Sequence, residues 1–289
     1  MDILQFEKQY LNLPSPLVEI HDVLFEEKQI NVFVKRDDLI HPIISGNKWR
    51  KLREYIQFAQ LKGIMRVISF GGAYSNHLYA LAYATKILGI QSIGIIRGEE
   101  LNPKSNPYLT KMQEWGMELH FMTRAEYQRK LIPESINQIN CITIAEGGFG
   151  KEAIDGIVAL ANEIQSLGSM DHLFCPIGTG ATYLGISQSL PEVKIHGVLT
   201  LNNKEEIKAN SAALGIPIQE LHDNYIFGKY AKQSFELEEF CTTFYQKHHI
   251  KIEPIYTGRM FYGLYDLISK DYFKPGSQIM AIHTGGVKV

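Results

Sequence analysis

A lysine between a glycine turn and an amphipathic helix is the first candidate for chemistry in this chain. Lys48 lies in the segment SGNKWRKL, residues 45–52, and a helical apolar stripe begins at Leu52. In most proteins a lysine at such a junction is a solvated cation. If it projects toward a phosphate-binding loop, however, its amine can form a Schiff base with an aldehyde cofactor whose phosphate that loop anchors.

A cluster of glycine and threonine at residues 178–182 is a candidate for that loop. It reads GTGAT and follows an apolar run that ends at Ile177. Its two glycines relax the backbone, and its two threonines add hydroxyl groups just before an apparent helix. Successive amides at a helix start, with the helix dipole behind them, bind phosphate. Alone the signal is weak, because a Gly-x-Gly turn after a strand is more often only a turn, and the segment is neither a P-loop nor a dinucleotide fingerprint.

A second apparent helix start carries polar groups that could hold an anion. Ser75 is an N-cap by the simplest interpretation, yet the same geometry aims free amides and a hydroxyl group at a substrate carboxylate. His77 has no second histidine at metal-binding spacing and the cysteines are scattered, so we predict no metal site. Tyr256, in the segment EPIYTGRM, has an apolar setting in which tyrosine is more often a core residue than a catalytic one.

The elements that must position these residues alternate along the chain. From about residue 65 onward, short apolar runs alternate with amphipathic stretches, which is typical of a parallel sheet covered by helices. The predicted strands are 67–70, 92–96, 141–144, 173–177, 195–201 and 279–282. Glycine-rich loops follow three of them, at residues 70–76, 178–182 and 283–286. Because ligands bind beyond the carboxyl ends of parallel strands, we expect the three loops to converge on one site.

Composition excludes several classes of protein. The 289 residues are 45% apolar and 21% charged, which excludes disorder and coiled coils. The 29 basic and 31 acidic residues nearly cancel, so the net charge gives no reason to bind nucleic acid or an anionic membrane. No apolar run is long enough to span a bilayer, and no signal peptide is recognisable. Three scattered cysteines suit a reducing compartment, so we predict a soluble cytoplasmic protein.

Six segments in a fixed order resemble one enzyme family. They are SPLVEI, VKRDDLIHPIISGNKWRKL, SFGGAYSNH, PIGTGATYLGI, EPIYTGRMFYGL and IHTGG, and they span residues 15–286. Together they resemble the pyridoxal-phosphate enzymes of fold type II, the tryptophan synthase β-like group, and within it the family of 1-aminocyclopropane-1-carboxylate (ACC) deaminase and D-cysteine desulfhydrase. The resemblance implies an α/β fold with two open, mostly parallel twisted sheets covered by helices. It also implies pyridoxal 5'-phosphate as cofactor, a small amino-acid substrate and a homodimer.

The resemblance also implies roles for individual residues. Lys48 corresponds to the lysine that is joined to the cofactor aldehyde, and Asn76 to the residue that hydrogen-bonds the cofactor's 3-oxygen. Ser75 corresponds to a catalytic serine that faces the substrate carboxylate, and Tyr256 and, less closely, Tyr230 to two active-site tyrosines. The remaining predicted contacts are Lys51, Gly178, Thr179, Gly180, Ala181 and Thr182 with the phosphate, Thr257 and Thr284 with the pyridine ring, and Tyr74, Asn76 and His77 with the substrate.

Two threonines favour one activity within the family. The deaminase pattern has glutamate at the position of Thr257 and leucine at that of Thr284. A carboxylate beside the pyridine nitrogen stabilises the protonated ring and deepens the electron sink that cyclopropane opening requires. A threonine adds no negative charge, and elimination of a good leaving group needs less stabilisation. We therefore predict β-elimination on a small D-amino acid, D-cysteine first, giving pyruvate, ammonia and sulfide.

Alternatives stay open because the chain departs from the family pattern. Tyr74 replaces a usual glutamine beside the carboxylate site, and Ala181 replaces the second glycine of the phosphate loop. ACC deamination, other eliminations, racemisation and a non-catalytic pyridoxal-phosphate-binding protein all remain compatible with the residues. For domain organisation, we predict a large cofactor-binding domain of residues 1–44 plus 150–289, and a smaller mobile α/β domain of residues 45–149 whose closure excludes water.

Overall fold

The computed structural model describes residues 1–227 and 234–286. The strands in these residues are β1 (Leu17–Ile20), β2 (Asn31–Lys35), β3 (Arg66–Gly71), β4 (Gln91–Arg97), β5 (Glu118–Met122), β6 (Cys141–Ile144), β7 (His172–Ile177), β8 (Lys194–Leu199), β9 (Glu220–His222) and β10 (Gln278–Ile282). The helices are α1 (Ile3–Tyr10), α2 (Val23–Glu27), α3 (Asn47–Leu61), α4 (Asn76–Leu88), α5 (Pro107–Glu114), α6 (Arg124–Gln128), α7 (Lys151–Asp155), α8 (Val158–Ser166), α9 (Ala181–Ser189), α10 (Lys204–Leu214), α11 (Phe235–His248) and α12 (Thr257–Ser269). No helix in these ranges combines the length and the apolarity that a membrane crossing requires.

The chain forms two compact units. Unit 1 comprises Met1–Asn12, His41–Ile44 and Lys48–Gly156, and unit 2 comprises Leu13–Ile40, Ser45–Asn47 and Ile157–Val289. Unit 1 contains a four-stranded sheet in the order β5-β4-β3-β6, in which all strands are parallel. Unit 2 contains a six-stranded sheet in the order β1-β2-β10-β7-β8-β9, in which only β1 is antiparallel to its neighbour. The predicted fold class is therefore confirmed.

Both sheets are buried by helices, which explains why their central strands are apolar throughout. In β7 every residue from Leu173 to Ile177 is buried. The core of unit 2 packs this strand's Phe174 against α12 residues such as Phe261 and Leu264. In unit 1, Ile68 of β3 and Ile95 of β4 belong to the corresponding core. Core burial thus holds the carboxyl ends of the strands, and the loops that follow them, in a fixed position.

The structure differs from the sequence-based expectations at several points. Residues 1–12 belong to unit 1 rather than to the predicted large domain, because the ring of Phe6 packs on that of Trp49 with centroids 4.7 Å apart. Strands β1, β2, β5 and β9 were not predicted, since they are short and mix polar with apolar residues. Helical spacing groups Val158 with the apolar residues Ile154, Ile157 and Ala161 as a core-facing stripe, yet Val158 is 43% exposed. Closure of a mobile domain stays a prediction.

Candidate active site

The glycine turn before Lys48 packs on the last glycine-rich loop of unit 2. Gly46 has a φ of +66°, and a Cβ at this position would lie 1.8 Å from the backbone oxygen of Thr284. The amide of Asn47 donates to that same oxygen at 3.2 Å. No side chain fits here, so only glycine lets the two loops approach this closely. This close contact joins two segments of unit 2 that lie far apart in the chain, at residues 46 and 284.

The side chain of Asn47 joins the same turn to the predicted phosphate loop. Its Nδ2 donates to Oγ1 of Thr182 at 2.8 Å, and both side chains are buried. Lys48 is the next residue in the chain and is partly buried. The sequence analysis did not single out Asn47, although it lies within the quoted segment SGNK.

Helix α9 begins in a way that suits an anion. Its N-cap is Gly180, in a left-handed conformation with φ of +93°. No side chain caps this helix start, and its first turn contains no acidic residue. The first amides of a helix have no partner within the helix, so those of Ala181 and Thr182 are the groups that would hold a phosphate. The loop therefore has the properties that the sequence predicts for it.

Gly178 connects this loop to two further segments of unit 2. A Cβ on Gly178 would lie 3.2 Å from Cε1 of Tyr256, so the tyrosine ring packs directly on the loop. Nδ2 of Asn203, just after β8, donates to the Gly178 oxygen at 2.9 Å. The turn at residues 45–47, the loop at 178–182, Tyr256 and Thr284 are thus linked by contacts within unit 2. Of the three glycine-rich loops, however, 70–76 follows β3 and belongs to the sheet of unit 1.

Thr257 has a partner that the sequence analysis missed. Its Oγ1 accepts from the amide of Glu253 at 3.1 Å and lies 3.3 Å from the Glu253 carboxylate, to which it donates. Thr257 has no exposed surface. Its hydroxyl is therefore engaged by Glu253, and its predicted contact with a pyridine ring stays a prediction. Thr284 keeps 5% of its surface exposed.

In unit 1, Ser75 caps helix α4 as the simplest interpretation predicts. Its Oγ accepts from the amide of Leu78 at 3.2 Å. Ser75 and Asn76 are partly exposed, and the first turn of α4 contains no acidic residue. The amides of Asn76 and His77 come before the capped one, so this helix start can also receive a carboxylate. A Cβ on Gly71 would lie 2.6 Å from the Ser75 Oγ, which shows that glycine is needed at the end of β3.

The side chain of His77 is directed into unit 1. It is 2% exposed, and its Nε2 lies 2.8 Å from Oγ of Ser69, whose own proton goes to the oxygen of Ile144. Burial and the positive charges of Lys51 and Lys48 lower the pKa of His77 to about 3, so the ring is neutral. Its predicted contact with the substrate stays a prediction.

The other predicted site residues are Lys51, Tyr74 and Tyr230. Lys51 is 6% exposed, and its Nζ donates to the oxygen of Gly147 at 3.3 Å within unit 1. Tyr74 is 56% exposed and makes an edge contact with the ring of Tyr108. Tyr230 lies outside the described residues. The contacts of these residues with cofactor or substrate stay predictions. Within the described ranges no group of histidine, cysteine or acidic residues is arranged to hold a metal ion.

Comparison with known proteins shows the class to which this fold and these loops belong. The sequence model of the pyridoxal-phosphate dependent enzymes matches residues 9–285. The chain belongs to this family with fold type II and, within it, to the group of ACC deaminases and D-cysteine desulfhydrases. The family uses pyridoxal 5'-phosphate, which confirms the predicted cofactor. The start of α9, without a side-chain cap or an acidic residue, fits the phosphate of that cofactor.

Individual relatives carry different names. The chain is 31% identical over 279 residues to a putative 1-aminocyclopropane-1-carboxylate deaminase of Pyrococcus horikoshii, and the alignment covers 89% of this chain and 85% of that protein. It is 24% identical to a D-cysteine desulfhydrase of Salmonella typhimurium, with 96% and 93% covered. A crystal structure of an ACC deaminase homologue matches with a TM-score of 0.79 at 27% identity, covering 99% of this chain and 96% of that one.

Proposed function

We propose that this enzyme eliminates the β-substituent of a small D-amino acid, with D-cysteine as first substrate and pyruvate, ammonia and sulfide as products. The observation that carries the proposal is the bond from Asn47 to Thr182, because it ties the residue before Lys48 to the start of α9. When bound, pyridoxal phosphate supplies an aldehyde that combines with amines and a ring that accepts electrons. The proposal includes a homodimer, which light scattering tests against the 32.9 kDa of one chain, and a cytoplasmic location.

The proposal assigns a role to each of the predicted catalytic residues. Lys48 holds the cofactor and, once the substrate amine has displaced it, removes the α-proton as a general base. Ser75 and the amides at the start of α4 hold the substrate carboxylate. Tyr256, whose ring lies on Gly178, orients the leaving thiol group or assists proton transfer there. Tyr230 is proposed as a second such tyrosine.

The choice of D-cysteine depends on the threonines, and one observation favours a second candidate. Threonine stands at positions 257 and 284, where the deaminase pattern has glutamate and leucine. Neither threonine supplies the negative charge of that glutamate. The carboxylate of Glu253 nevertheless lies 3.3 Å from the Thr257 hydroxyl, which brings a negative charge back to this region. Together with the names of the relatives at 28–31% identity, this supports ACC deamination as the second candidate.

A substrate panel separates the candidates. The purified enzyme is incubated with D- and L-cysteine, D-serine, β-chloro-D-alanine and ACC, while pyruvate, 2-oxobutyrate and sulfide are measured. We expect sulfide and pyruvate from D-cysteine. Turnover of ACC without turnover of D-cysteine would replace the first candidate by the second. A cofactor-loaded protein that turns over none of these compounds would instead support the non-catalytic binding protein.

The lysine is tested by substitution. Cofactor held by Lys48 absorbs at about 410–430 nm, and borohydride should abolish that band and fix the cofactor to the Lys48 peptide. Lys48→Ala should lose the band, and elimination should fall by about 10²–10⁴-fold from the loss of proton transfer alone. Lys62→Ala, at an exposed position after α3, is the matched control and should change neither. Retention of the band in Lys48→Ala would remove this lysine from the site.

A further inference from the structure

The carboxylate of Glu253 accepts hydrogen bonds from residues that follow it closely in the chain. Its Oε2 accepts from the amide of Ile255 at 2.8 Å, and its Oε1 accepts from the amides of Tyr256 and Thr257, both at 2.9 Å. Its own amide donates to Oγ1 of Thr257. The carboxylate thus fixes the backbone of three successive residues that lead into α12, the last of them its first residue. Hydrogen bonds to a charged group are stronger than those between neutral groups.

This ring of hydrogen bonds determines where the Tyr256 side chain lies. Tyr256 has φ of −121° and ψ of −71°, which is neither helix nor strand, so its conformation depends on the contacts around it. Glu253 supplies the acceptor for its amide, and Arg259 binds the oxygen of Pro254 on the other side of the turn. The tyrosine ring then packs on Gly178, at the predicted phosphate loop.

We propose that Glu253 is a positioning residue that holds the Tyr256 ring on Gly178 when its carboxylate is ionised. The inference rests on the proposed function, in which Tyr256 acts on the leaving group, and deepens it by assigning the group that sets the tyrosine's place. A protonated carboxyl keeps fewer acceptor sites than a carboxylate, so the turn loosens when Glu253 takes up a proton. Glu253 therefore couples the geometry of this site to pH.

The surroundings of Glu253 place that coupling near neutral pH. Burial raises the pKa of Glu253 to about 7, against the opposing effect of the hydrogen bonds from Thr257, Ile255 and Tyr256. From α11, Cys241 faces it, and burial with the charges of Glu253 and Glu238 raises the pKa of that thiol to about 12. The thiol is neutral at every relevant pH. From α12, the buried guanidinium group of Arg259 binds backbone oxygens rather than the carboxylate.

The test measures the contact between Tyr256 and Gly178 directly, in the full chain with and without pyridoxal phosphate. In selectively labelled protein, the nuclear Overhauser effect between the Tyr256 ring and the Gly178 α-protons should be strong at pH 8.5 and weaker at pH 5.5. Glu253→Gln should show the weak signal at both pH values and lower kcat/KM by about 10- to 100-fold at pH 8.5, because reacting groups tolerate little misplacement. Glu238→Gln, which leaves the turn intact, is the matched control and should behave as the unsubstituted enzyme.

Two outcomes would overturn the inference. The first is a Glu253→Gln enzyme with an unchanged Overhauser effect and kcat/KM within twofold of the unsubstituted enzyme. If that variant does not fold, Thr257→Val replaces it: loss of one donor should move the pH transition of the Overhauser effect upward, and an unmoved transition is the second outcome. The absorption band of the Lys48-bound cofactor should persist in Glu253→Gln. Failure of the proposed function would show in the band and the substrate panel, whereas failure of this inference would leave both intact.

Discussion

The sheet of unit 2 buries polar groups at two places in different ways. At the carboxyl ends of β7 and β10, the polar groups surround the start of α9, which no side chain caps. Further back, His172, His196 and His222 of β7, β8 and β9 form a line in which successive ring nitrogens are 3.0 Å apart. The stacked ring of Phe174 lies 4.5 Å from that of His196, which has no exposed surface.

The two places differ in whether their polar groups are satisfied within their own secondary structure elements or by neighbouring side chains. The histidines satisfy one another, since each nitrogen of His196 has an imidazole partner. Burial lowers the pKa of all three rings, that of His196 to about 2, so the line is neutral. The first amides of α9 have no partner within the helix. The histidine line is therefore a complete part of the core, whereas the start of α9 leaves amides that can bind the proposed phosphate.

The largest expected effect comes from supplying that anion within the chain. Thr179→Asp places a carboxylate next to the start of α9, where it competes with the phosphate of the cofactor. We expect the dissociation constant for pyridoxal phosphate to rise by about 10²-fold or more, because two like charges about 4 Å apart near a surface repel by about 4 kcal/mol. Equilibrium titration of the apoenzyme measures this.

Thr179→Asn is the control, since it has the size of aspartate without the charge. Its affinity for the cofactor should fall far less than that of Thr179→Asp, because it loses the threonine hydroxyl but adds no charge. Thr179 is partly buried, and the two apoproteins should differ in unfolding free energy by no more than about 1 kcal/mol, the effect of one charge at a helix start. Equal affinities in the two variants would mean that α9 does not bind the phosphate.

The sequence alone predicts the loops around the start of α9 but not the line of histidines, and the reason is physical. The loops depend on residues that are neighbours in the chain, such as Gly178, Gly180 and Thr182, whose backbone freedom and hydroxyl groups act locally. The histidines are 24 and 26 positions apart, from 196 − 172 and 222 − 196. They meet only because β7 pairs with β8, and β8 with β9, in registers that offset each histidine from the next by two residues.

The same distinction applies within the site. Glu253 and Asn47 lie inside segments that the family resemblance marks, but their partners depend on how the turns close. Nothing in EPIYTG shows that the glutamate carboxylate bends back onto three amides, or in SGNK that the asparagine reaches Thr182. Motif chemistry is thus visible in the sequence, whereas the hydrogen bonds that support it require the folded backbone.

Substitution at the histidine line should affect stability without affecting the cofactor. His196→Leu removes the central ring of the line, so His172 and His222 each lose the hydrogen bond to it. We expect a loss of about 1–3 kcal/mol in the free energy of unfolding, the cost of leaving buried polar groups without partners. Urea unfolding of the apoprotein measures it, with exposed His21→Leu as control. A changed cofactor affinity in His196→Leu would show that the two ends are not independent.

The histidine line should also make unfolding sensitive to acid. In the folded protein the pKa of each ring lies below its ordinary value of about 6.5. When the pH falls below about 6.5, the histidines of the unfolded chain therefore bind protons that the same histidines of the folded protein do not bind. For His196 alone this removes about 2 kcal/mol of stability between pH 7 and pH 5. His196→Leu should therefore lose about 2 kcal/mol less over this range than the unsubstituted protein.

The raised pKa of Glu253 acts with the opposite sign, because its contribution is present at low pH and is lost as the pH rises toward 7. Taking the difference between His196→Leu and the unsubstituted protein cancels the contribution of Glu253, which both proteins share. A difference that stays constant from pH 7 to pH 5 would mean that His196 titrates normally in the folded protein.

The smallest expected effect concerns how firmly the start of α9 is built. Gly180 has a φ of +93°, and a Cβ there would lie 2.7 Å from Cδ1 of Ile207 on α10. Gly168 has a φ of +107° with no atom within 4 Å of such a Cβ. Alanine at either position carries the left-handed penalty of about 1–2 kcal/mol. Gly180→Ala should therefore unfold more easily than Gly168→Ala by less than about 1 kcal/mol, because the end of an isoleucine side chain can shift. A larger difference between the two variants in the free energy of unfolding, measured in urea, would show that Ile207 is held rigidly. The start of α9 would then be as tightly packed as the histidine line.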